Sequence, residues 1–306
     1  MTLAEELATP PSFAAPPSFA ARPGACDAHC HVFGPPERYP YGDDLRYRPP
    51  IAPLADYMAL ARHLGIERFV FVQPSAYGRD NRCMLDAMRE VGHARCRGIV
   101  DVDENTGDPA TLAAWHRLGV RGIRINVSPI QKPERGLADA LRPRIRRLAA
   151  LAGGLGWHLD FLAPGWLVRE LLPDLALLEV DFTLAHLGLF PARAGLAGPG
   201  FQALLAALRS GRRHCFVKLS GVYRVSDEAD FADAAPLAQA LIAAAPEQII
   251  WGSDFPHLSF AERVRSVALF DLLARWAPDA ATRARILVEN PARLFGFEAL
   301  EAPPSA

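Results

Sequence analysis

Residues 24–34 read GACDAHCHVFG, a short apolar stretch with polar side chains at three alternate positions, Asp27, His29 and His31. Successive side chains of a β-strand point to opposite faces, so this spacing predicts that all three share one face of a buried strand. The same stretch decides between two parallel α/β folds. A doubly wound, dinucleotide-binding sheet needs a glycine-rich turn after its first strand, whereas this strand ends in HCHVFG. We therefore expect a barrel, with the histidines facing its axis.

Seven further apolar runs follow this strand, and segments with helical apolar spacing separate them. The runs are RFVFVQP (68–74), RGIVDVD (97–103), RGIRINV (121–127), WHLDFLA (157–163), VDFTLAHLG (180–188), HCFVKLSG (214–221) and QIIWGSD (248–254). Strands that are apolar on both faces and alternate with helices indicate parallel β/α units. Eight such units predict an α/β fold of the (β/α)8 TIM-barrel type, with a single domain over residues 24–298.

Glycine, asparagine and proline residues predict where helices end and where the chain is extended. Gly65 and Gly119 are expected at helix C-termini, and Asn290 before a proline predicts the N-cap of the last helix. Residues 1–23 form a Pro/Ala-rich N-terminal arm with the near-repeat PPSFAAPPSFAA, which predicts an extended chain. We favour a disordered arm; the alternative is that Phe13 and Phe19 dock on the barrel or on a second subunit. Residues 299–306 are interpreted as a C-terminal tail.

Composition excludes several classes of partner. The 306-residue chain has a formal net charge of −1 at pH 7, which favours neither nucleic acid nor an anionic membrane surface. No apolar run approaches the ~20 residues that span a bilayer, and no secretory signal is visible, so a cytoplasmic protein is expected. The 5 cysteines are scattered and odd in number, which argues against a disulfide framework. A homo-oligomer stays open.

Polar side chains gather at the predicted C-terminal ends of the strands, where TIM barrels carry their chemistry. They are His29, His31, Gln73, Ser75, Arg124, Asn126, His186, Lys218, Ser220, Ser253 and Asp254, with His257 in the following loop. Three imidazoles and a carboxylate at one barrel mouth predict an active site, since the rest of the barrel interior should be apolar.

At these residues the sequence resembles the amidohydrolase superfamily, in its branch of 2-pyrone-4,6-dicarboxylate lactonase-like hydrolases. The resemblance runs from Pro23 to Phe297. It rests on the segments GACDAHCHVFGP, VQPSAYGRDN, GVRGIRINV, AHLG, KLSGVYR, WGSDFPH and ILVENPARLFGF. It implies a distorted TIM barrel that opens a small anionic lactone by hydrolysis.

The resemblance also implies roles for individual residues. Asp254 matches the general base, and His29, His31 and His186 match the imidazoles that polarise the scissile carbonyl. The positions that hold substrate carboxylates are matched by Tyr47, Ser75, Arg124, Arg224 and His257. Two positions depart from the pyrone lactonase, because Ile130 and Leu162 stand where it has an arginine and a tyrosine. Lys132 or Arg135 could replace that arginine from the loop.

Three imidazoles and a carboxylate are also adequate ligands for a divalent metal such as zinc. If a metal binds, its ligands are His29, His31, His186 and Asp254, but we favour a site without a cofactor. A binuclear centre is not expected, because strand 4 lacks a bridging Lys or Glu and His158 sits at the start of its strand. Asp160 is either a site residue or a buried paired charge. The alternative functions are a lactone isomerase, a zinc-dependent decarboxylase and an inactive ligand-binding barrel.

Overall fold

Eight parallel strands form one sheet in the order β1 to β8 and wrap into a barrel, which confirms the predicted fold. The structure, a computed structural model, describes residues 15–43, 45, 47, 49–103, 105, 108–210 and 214–298. The strands are β1 (Cys26–Cys30), β2 (Arg68–Val72), β3 (Cys96–Val100), β4 (Val120–Asn126), β5 (His158–Leu162), β6 (Phe182–Leu184), β7 (Cys215–Leu219) and β8 (Ile249–Trp251). Each of the eight predicted runs overlaps one of these strands, and β3 and β4 begin one residue before their runs.

Helices follow the strands and cover the outside of the barrel. They are α1 (Leu54–Leu64), α2 (Arg82–Val91), α3 (Pro109–Leu118), α4 (Leu137–Leu155), α5 (Gly165–Leu175), α6 (Pro199–Arg209), α7 (Ala235–Ala244), α8 (Ser266–Trp276), α9 (Ala280–Ala284) and α10 (Asn290–Phe295). Gly65 and Gly119 end α1 and α3 in left-handed conformations, as predicted. Among the described residues no helix is long and apolar enough to cross a membrane.

The predicted N-cap at Asn290 is wrong. A π-helical turn at Arg285–Glu289 joins α9 to α10 without a break, so Asn290 has helical dihedral angles and lies inside a continuous helical segment rather than at an N-cap. Its side-chain amide donates instead to the carbonyls of Pro246 and Ile249, at 2.8 and 2.7 Å. Asn290 thereby ties the last helix to the start of β8.

Alternate residues of the strands pack into two separate apolar clusters. Phe69 and Phe71 of β2 belong to the large cluster beneath the helices. Val70 and Val72 belong to a smaller cluster that fills the barrel, together with Cys26, Ala28, Ile99, Phe216, Ile250 and the C-terminal Phe295 and Phe297. By this alternation Arg124, Asp160 and Lys218 also project inward, and they form a buried polar layer.

The N-terminal arm is docked on the barrel at Ser18 and Phe19. Phe19 stacks on Phe270 of α8 with ring centroids 4.5 Å apart, and the Arg283 guanidinium lies 4.9 Å from the centre of its ring. The backbone N–H and hydroxyl of Ser18 donate to Asp271. The interpretation as a disordered arm is therefore wrong for this part. Phe13 and the tail at 299–306 lie outside the described residues.

Candidate active site

The junction between β8 and β1 positions Asp254. Three hydrogen bonds cross it, from Asp254 N to His29 O (2.8 Å), from His31 N to Phe255 O (2.9 Å) and from Ser253 N to Asp27 Oδ1 (2.9 Å). Gly252 permits this close approach, since a Cβ there would lie 2.6 Å from the Cβ of His29. The bonds that close the barrel are therefore the same bonds that place the carboxylate.

Asp27 does not join the two histidines, so the prediction that all three share a face is wrong. The β1–β2 register is irregular between Asp27 and Cys30, and this shifts the alternation within the strand. Asp27 accepts hydrogen bonds from Tyr57 of α1, from His29 N and from Ser253 N. Burial raises the pKa of this carboxyl to about 6. Asp27 therefore has a structural role, since its hydrogen bonds connect β1 to α1 and to the turn after β8.

Three imidazoles surround the carboxylate of Asp254. Its Oδ1 lies 3.6 Å from His29 Nε2 and 3.5 Å from His31 Nε2, and its Oδ2 lies 3.8 Å from His186 Nε2. All four side chains are buried. The structure thus brings together the predicted catalytic residues from β1 and from the turns after β6 and β8.

Tyr223 and Arg224 hold the other oxygen of the carboxylate. The Tyr223 hydroxyl donates to Asp254 Oδ2 at 2.7 Å, and Arg224 Nε donates to the same atom at 3.0 Å. The guanidinium also lies over the rings of Tyr223 and Phe260. Arg224, expected to bind substrate, is therefore already paired with the candidate base. Tyr223 was missed, and its only signal is its place beside Arg224 in KLSGVYR.

Protonation states follow from burial and neighbouring charge. Burial lowers the pKa of His29 and His31, and it lowers the pKa of His186 to about 3. Burial alone would raise the pKa of Asp254. The charge of His186, where that ring is protonated, and the permanent charge of Arg224 outweigh it and hold the pKa of this carboxyl well below its usual range. At neutral pH the site therefore contains neutral imidazoles and an ionised carboxylate.

Each imidazole has a different partner at Nδ1. His31 Nδ1 contacts the Val72 carbonyl at 2.8 Å, and His186 Nδ1 contacts the Ser220 hydroxyl at 2.9 Å. His29 Nδ1 lies 3.2 Å from the Lys218 ammonium. Lys218 in turn contacts Asp160 at 2.6 Å, which identifies Asp160 as a buried paired charge beneath the site.

A cavity of about 1100 Å³ opens above these residues. His31, His186 and Asp254 line its floor, and the predicted substrate residues Tyr47, Ser75, Arg124 and Arg224 line its walls. The hydroxyls of Tyr47 and Ser75 are 3.2 Å apart. His257 is outside the lining, because its nitrogens contact the hydroxyls of Tyr223 (3.3 Å) and Ser266 (2.7 Å).

Arg124 is the best-placed cation for a substrate anion. It is 4% exposed, and its Nη1 donates to the carbonyl of Gln73 at 2.7 Å. Its buried Nε has no hydrogen-bond partner among the described residues. The guanidinium belongs to a residue that lines the cavity, so its free donors are suited to an incoming carboxylate.

The far wall of the cavity is largely apolar. Ile130 is 87% exposed and lies in the lining with Leu162, whereas Lys132 and Arg135 are exposed and are not among the lining residues. The wall also contains Trp166, whose indole N–H donates to the Gln131 carbonyl at 2.9 Å and holds the loop after β4. Sequence reasoning missed Trp166, because nothing in its local pattern separates it from a core residue.

His29, His31 and Asp254 could hold a metal ion by type and spacing, with one ligand atom of each within 4.8 Å of the others. A metal-binding histidine usually donates its second ring N–H to a carbonyl or carboxylate. His31 meets that condition through Val72, whereas His29 Nδ1 faces an ammonium, which only donates. His29 therefore does not fit the role of an Nε2 ligand.

Comparisons with known proteins agree with this geometry. Residues 26–297 match the amidohydrolase family, and the chain belongs to it. It is 37% identical to a 4-sulfomuconolactone hydrolase of Rhizobium radiobacter, over 89% of this chain and 90% of the relative. It is 31% identical to a D-galactarolactone isomerase of Agrobacterium fabrum, over 91% and 93%. A crystal structure of a putative 2-pyrone-4,6-dicarboxylic acid hydrolase from Pseudomonas putida superposes with a TM-score of 0.77 at 34% identity, covering 91% of this chain and 100% of that one. The predicted superfamily and its lactone-acting branch are confirmed.

Proposed function

We propose that this member of the amidohydrolase family hydrolyses a small lactone that carries an anionic group, without a metal ion. The observation that supports this most strongly is the ionised Asp254, whose Oδ1 lies at the cavity floor within 3.6 Å of two imidazoles. The lactone-acting relatives agree with this chemistry.

The substrate is oriented by Arg124. The guanidinium of Arg124 binds the anionic group, and the neighbouring hydroxyls of Tyr47 and Ser75 donate to it. A guanidinium fixes a planar anion in both position and rotation. Within the described lining, Arg124 and Arg224 are the only Lys or Arg side chains, and Arg224 is paired with Asp254. One anionic group on the substrate is therefore expected, with the rest of the ring against the apolar wall.

The reaction follows from the charges on the floor of the site. A water molecule attacks the lactone carbonyl and transfers a proton to Asp254, while imidazole N–H groups stabilise the developing oxyanion. The ring C–O bond then breaks, and Asp254 returns the proton to the departing ring oxygen. The product is an open hydroxy acid or its keto tautomer.

A proton-release assay tests the proposal. Hydrolysis of a lactone releases one proton at neutral pH, whereas isomerisation releases none. The purified protein is incubated with a panel of lactones that carry zero, one or two anionic groups, before and after chelator treatment. We expect turnover of a singly charged lactone that resists the chelator and is abolished by Asp254→Asn. Turnover that Asp254→Asn leaves intact would refute the general base, and loss with chelator that zinc restores would refute the metal-free mechanism.

A further inference from the structure

The Lys218–Asp160 pair lies directly beneath the active site and takes no part in the proton transfers of the proposed reaction. Both side chains are 0% exposed, and Lys218 Nζ lies 2.6 Å from Asp160 Oδ1 and 3.2 Å from His29 Nδ1. Thr183 donates a further hydrogen bond to the same carboxylate oxygen. Lys218 and Arg124 overcome the effect of burial and lower the pKa of Asp160 to about 2. Burial lowers the pKa of Lys218 and Asp160 opposes that shift; the 2.6 Å contact between the two side chains is the geometry of an ammonium paired with a carboxylate, and the Nζ of this ammonium faces the ring of His29.

We infer that Lys218 is a positioning residue that fixes His29 as the Nε2–H tautomer and thereby makes it a hydrogen-bond donor to the substrate rather than a metal ligand. An ammonium has three donors and no acceptor, so His29 Nδ1 must accept from it. A neutral imidazole that accepts at one nitrogen carries its proton on the other. His29 Nε2 is buried and has no hydrogen-bond partner among the described residues. Oδ1 of Asp254 lies 3.6 Å from this nitrogen, beyond hydrogen-bond distance, so the Nε2–H is left for a substrate oxygen beside the candidate base.

The two histidines of HCH consequently have opposite roles. The Val72 carbonyl can only accept, so His31 carries its proton on Nδ1 and presents a lone pair at Nε2. That lone pair lies 3.5 Å from Asp254 Oδ1, which is also an acceptor. A water between these atoms can donate to both, and this orients its own lone pair away from them. His29 thus donates a hydrogen bond to the oxyanion, whereas His31 helps to hold the nucleophilic water.

Nitrogen NMR of the wild-type protein tests the tautomers directly. Protein labelled with ¹⁵N-histidine is compared with the variants His29→Gln and His31→Gln, which assign the two rings. We expect His29 to show the proton on Nε2 and His31 to show it on Nδ1. A His29 ring protonated on Nδ1 would overturn the inference. Titration with zinc alone gives a second readout: one bound zinc equivalent that His29→Gln removes would overturn it as well. Neither readout requires turnover, so both remain decisive if the proposed function fails.

Kinetics test whether Lys218 acts through His29. This experiment rests on the proposed function. Both members of the pair are replaced together, as Lys218→Met with Asp160→Leu, because removing one leaves an uncompensated buried charge. We expect kcat to fall about 10- to 100-fold with KM nearly unchanged, since a donor to the transition state becomes less well oriented. The same pair of substitutions in His29→Gln should have almost no further effect. An equal loss in both backgrounds would overturn the positioning role. If the double variant does not fold, the NMR of the wild-type protein decides the question.

Discussion

Replacing Gly252 with alanine should separate β8 from β1 and misplace the carboxylate of Asp254, the proposed general base. An added Cβ would lie 2.6 Å from the Cβ of His29 and 2.9 Å from its backbone nitrogen. Carbon atoms in contact prefer about 3.5–4.0 Å, so the two strands must move apart by about 1 Å. Neither obstructing atom belongs to the far end of a flexible side chain. Insertion of a methyl group into such a packed position costs about 1–3 kcal/mol.

The effect on turnover should exceed the effect on stability. Asp254 follows Gly252 by two residues, and its N–H donates to the carbonyl of His29. A displacement of about 1 Å between the base and the imidazoles can reduce the rate about 100-fold. We therefore expect Gly252→Ala to lower kcat by that factor and to lower the free energy of unfolding in urea by about 1–3 kcal/mol.

Gly154→Ala is the matched control. Gly154 lies in α4, and an added Cβ there meets no atom within 4 Å. Alanine in a helix is favoured over glycine by about 0.5–1 kcal/mol, so this variant should be slightly more stable and fully active. If Gly252→Ala keeps the wild-type kcat and urea midpoint, the argument that this junction positions Asp254 is wrong.

Three further predictions concern binding, pH and the arm. Arg124→Met should raise KM for a singly charged lactone about 10- to 100-fold, the value of a hydrogen bond to a charged group, and an unchanged KM would move the anion site elsewhere. Because burial raises the pKa of Asp27 from 3.8 to about 6, the native protein binds more protons than the unfolded chain between these values. The contribution of Asp27 to stability is therefore full below pH 3.8 and falls by about 3 kcal/mol as the pH rises through 6. Urea unfolding from pH 4 to 7 should show this decline in the wild type and not in Asp27→Asn. Phe19→Ala should lower the unfolding free energy by about 1–2 kcal/mol through loss of the stack on Phe270; no change in urea unfolding would make that contact incidental.

Sequence patterns predicted the barrel well because they report burial. Each run that is apolar on both faces became a strand, and Gly65 and Gly119 ended their helices. The same reasoning selected His29, His31, His186 and Asp254, which the structure places together, since polar side chains at the mouth end of buried barrel strands are typical of an active site. Physical periodicity and motif resemblance agreed at these residues.

Features that depend on contacts between distant segments could not be predicted from local patterns. Simple alternation assumes a regular ladder, so the irregularity in β1 that turns Asp27 away from His29 was invisible. Arg224 matched a substrate-binding position, but its pairing with Asp254 depends on where the turn after β7 meets the turn after β8. Asn290 has the sequence of an N-cap, and its bonds to Pro246 and Ile249 explain why it lies within a helix instead.

The loop that forms the far wall of the cavity is structurally separate from Asp254 and His186. Asp254 and His186 both have left-handed backbone conformations, with φ of 56° and 54°. Such conformations cost about 1–3 kcal/mol each and persist only where surrounding bonds enforce them; here the β8–β1 junction and Ser220 supply those bonds. Ile130 and the loop held by Trp166 share no hydrogen bond with either residue among those described. Substitutions in that loop can therefore change the shape of the cavity wall while Asp254 and the imidazoles keep their positions.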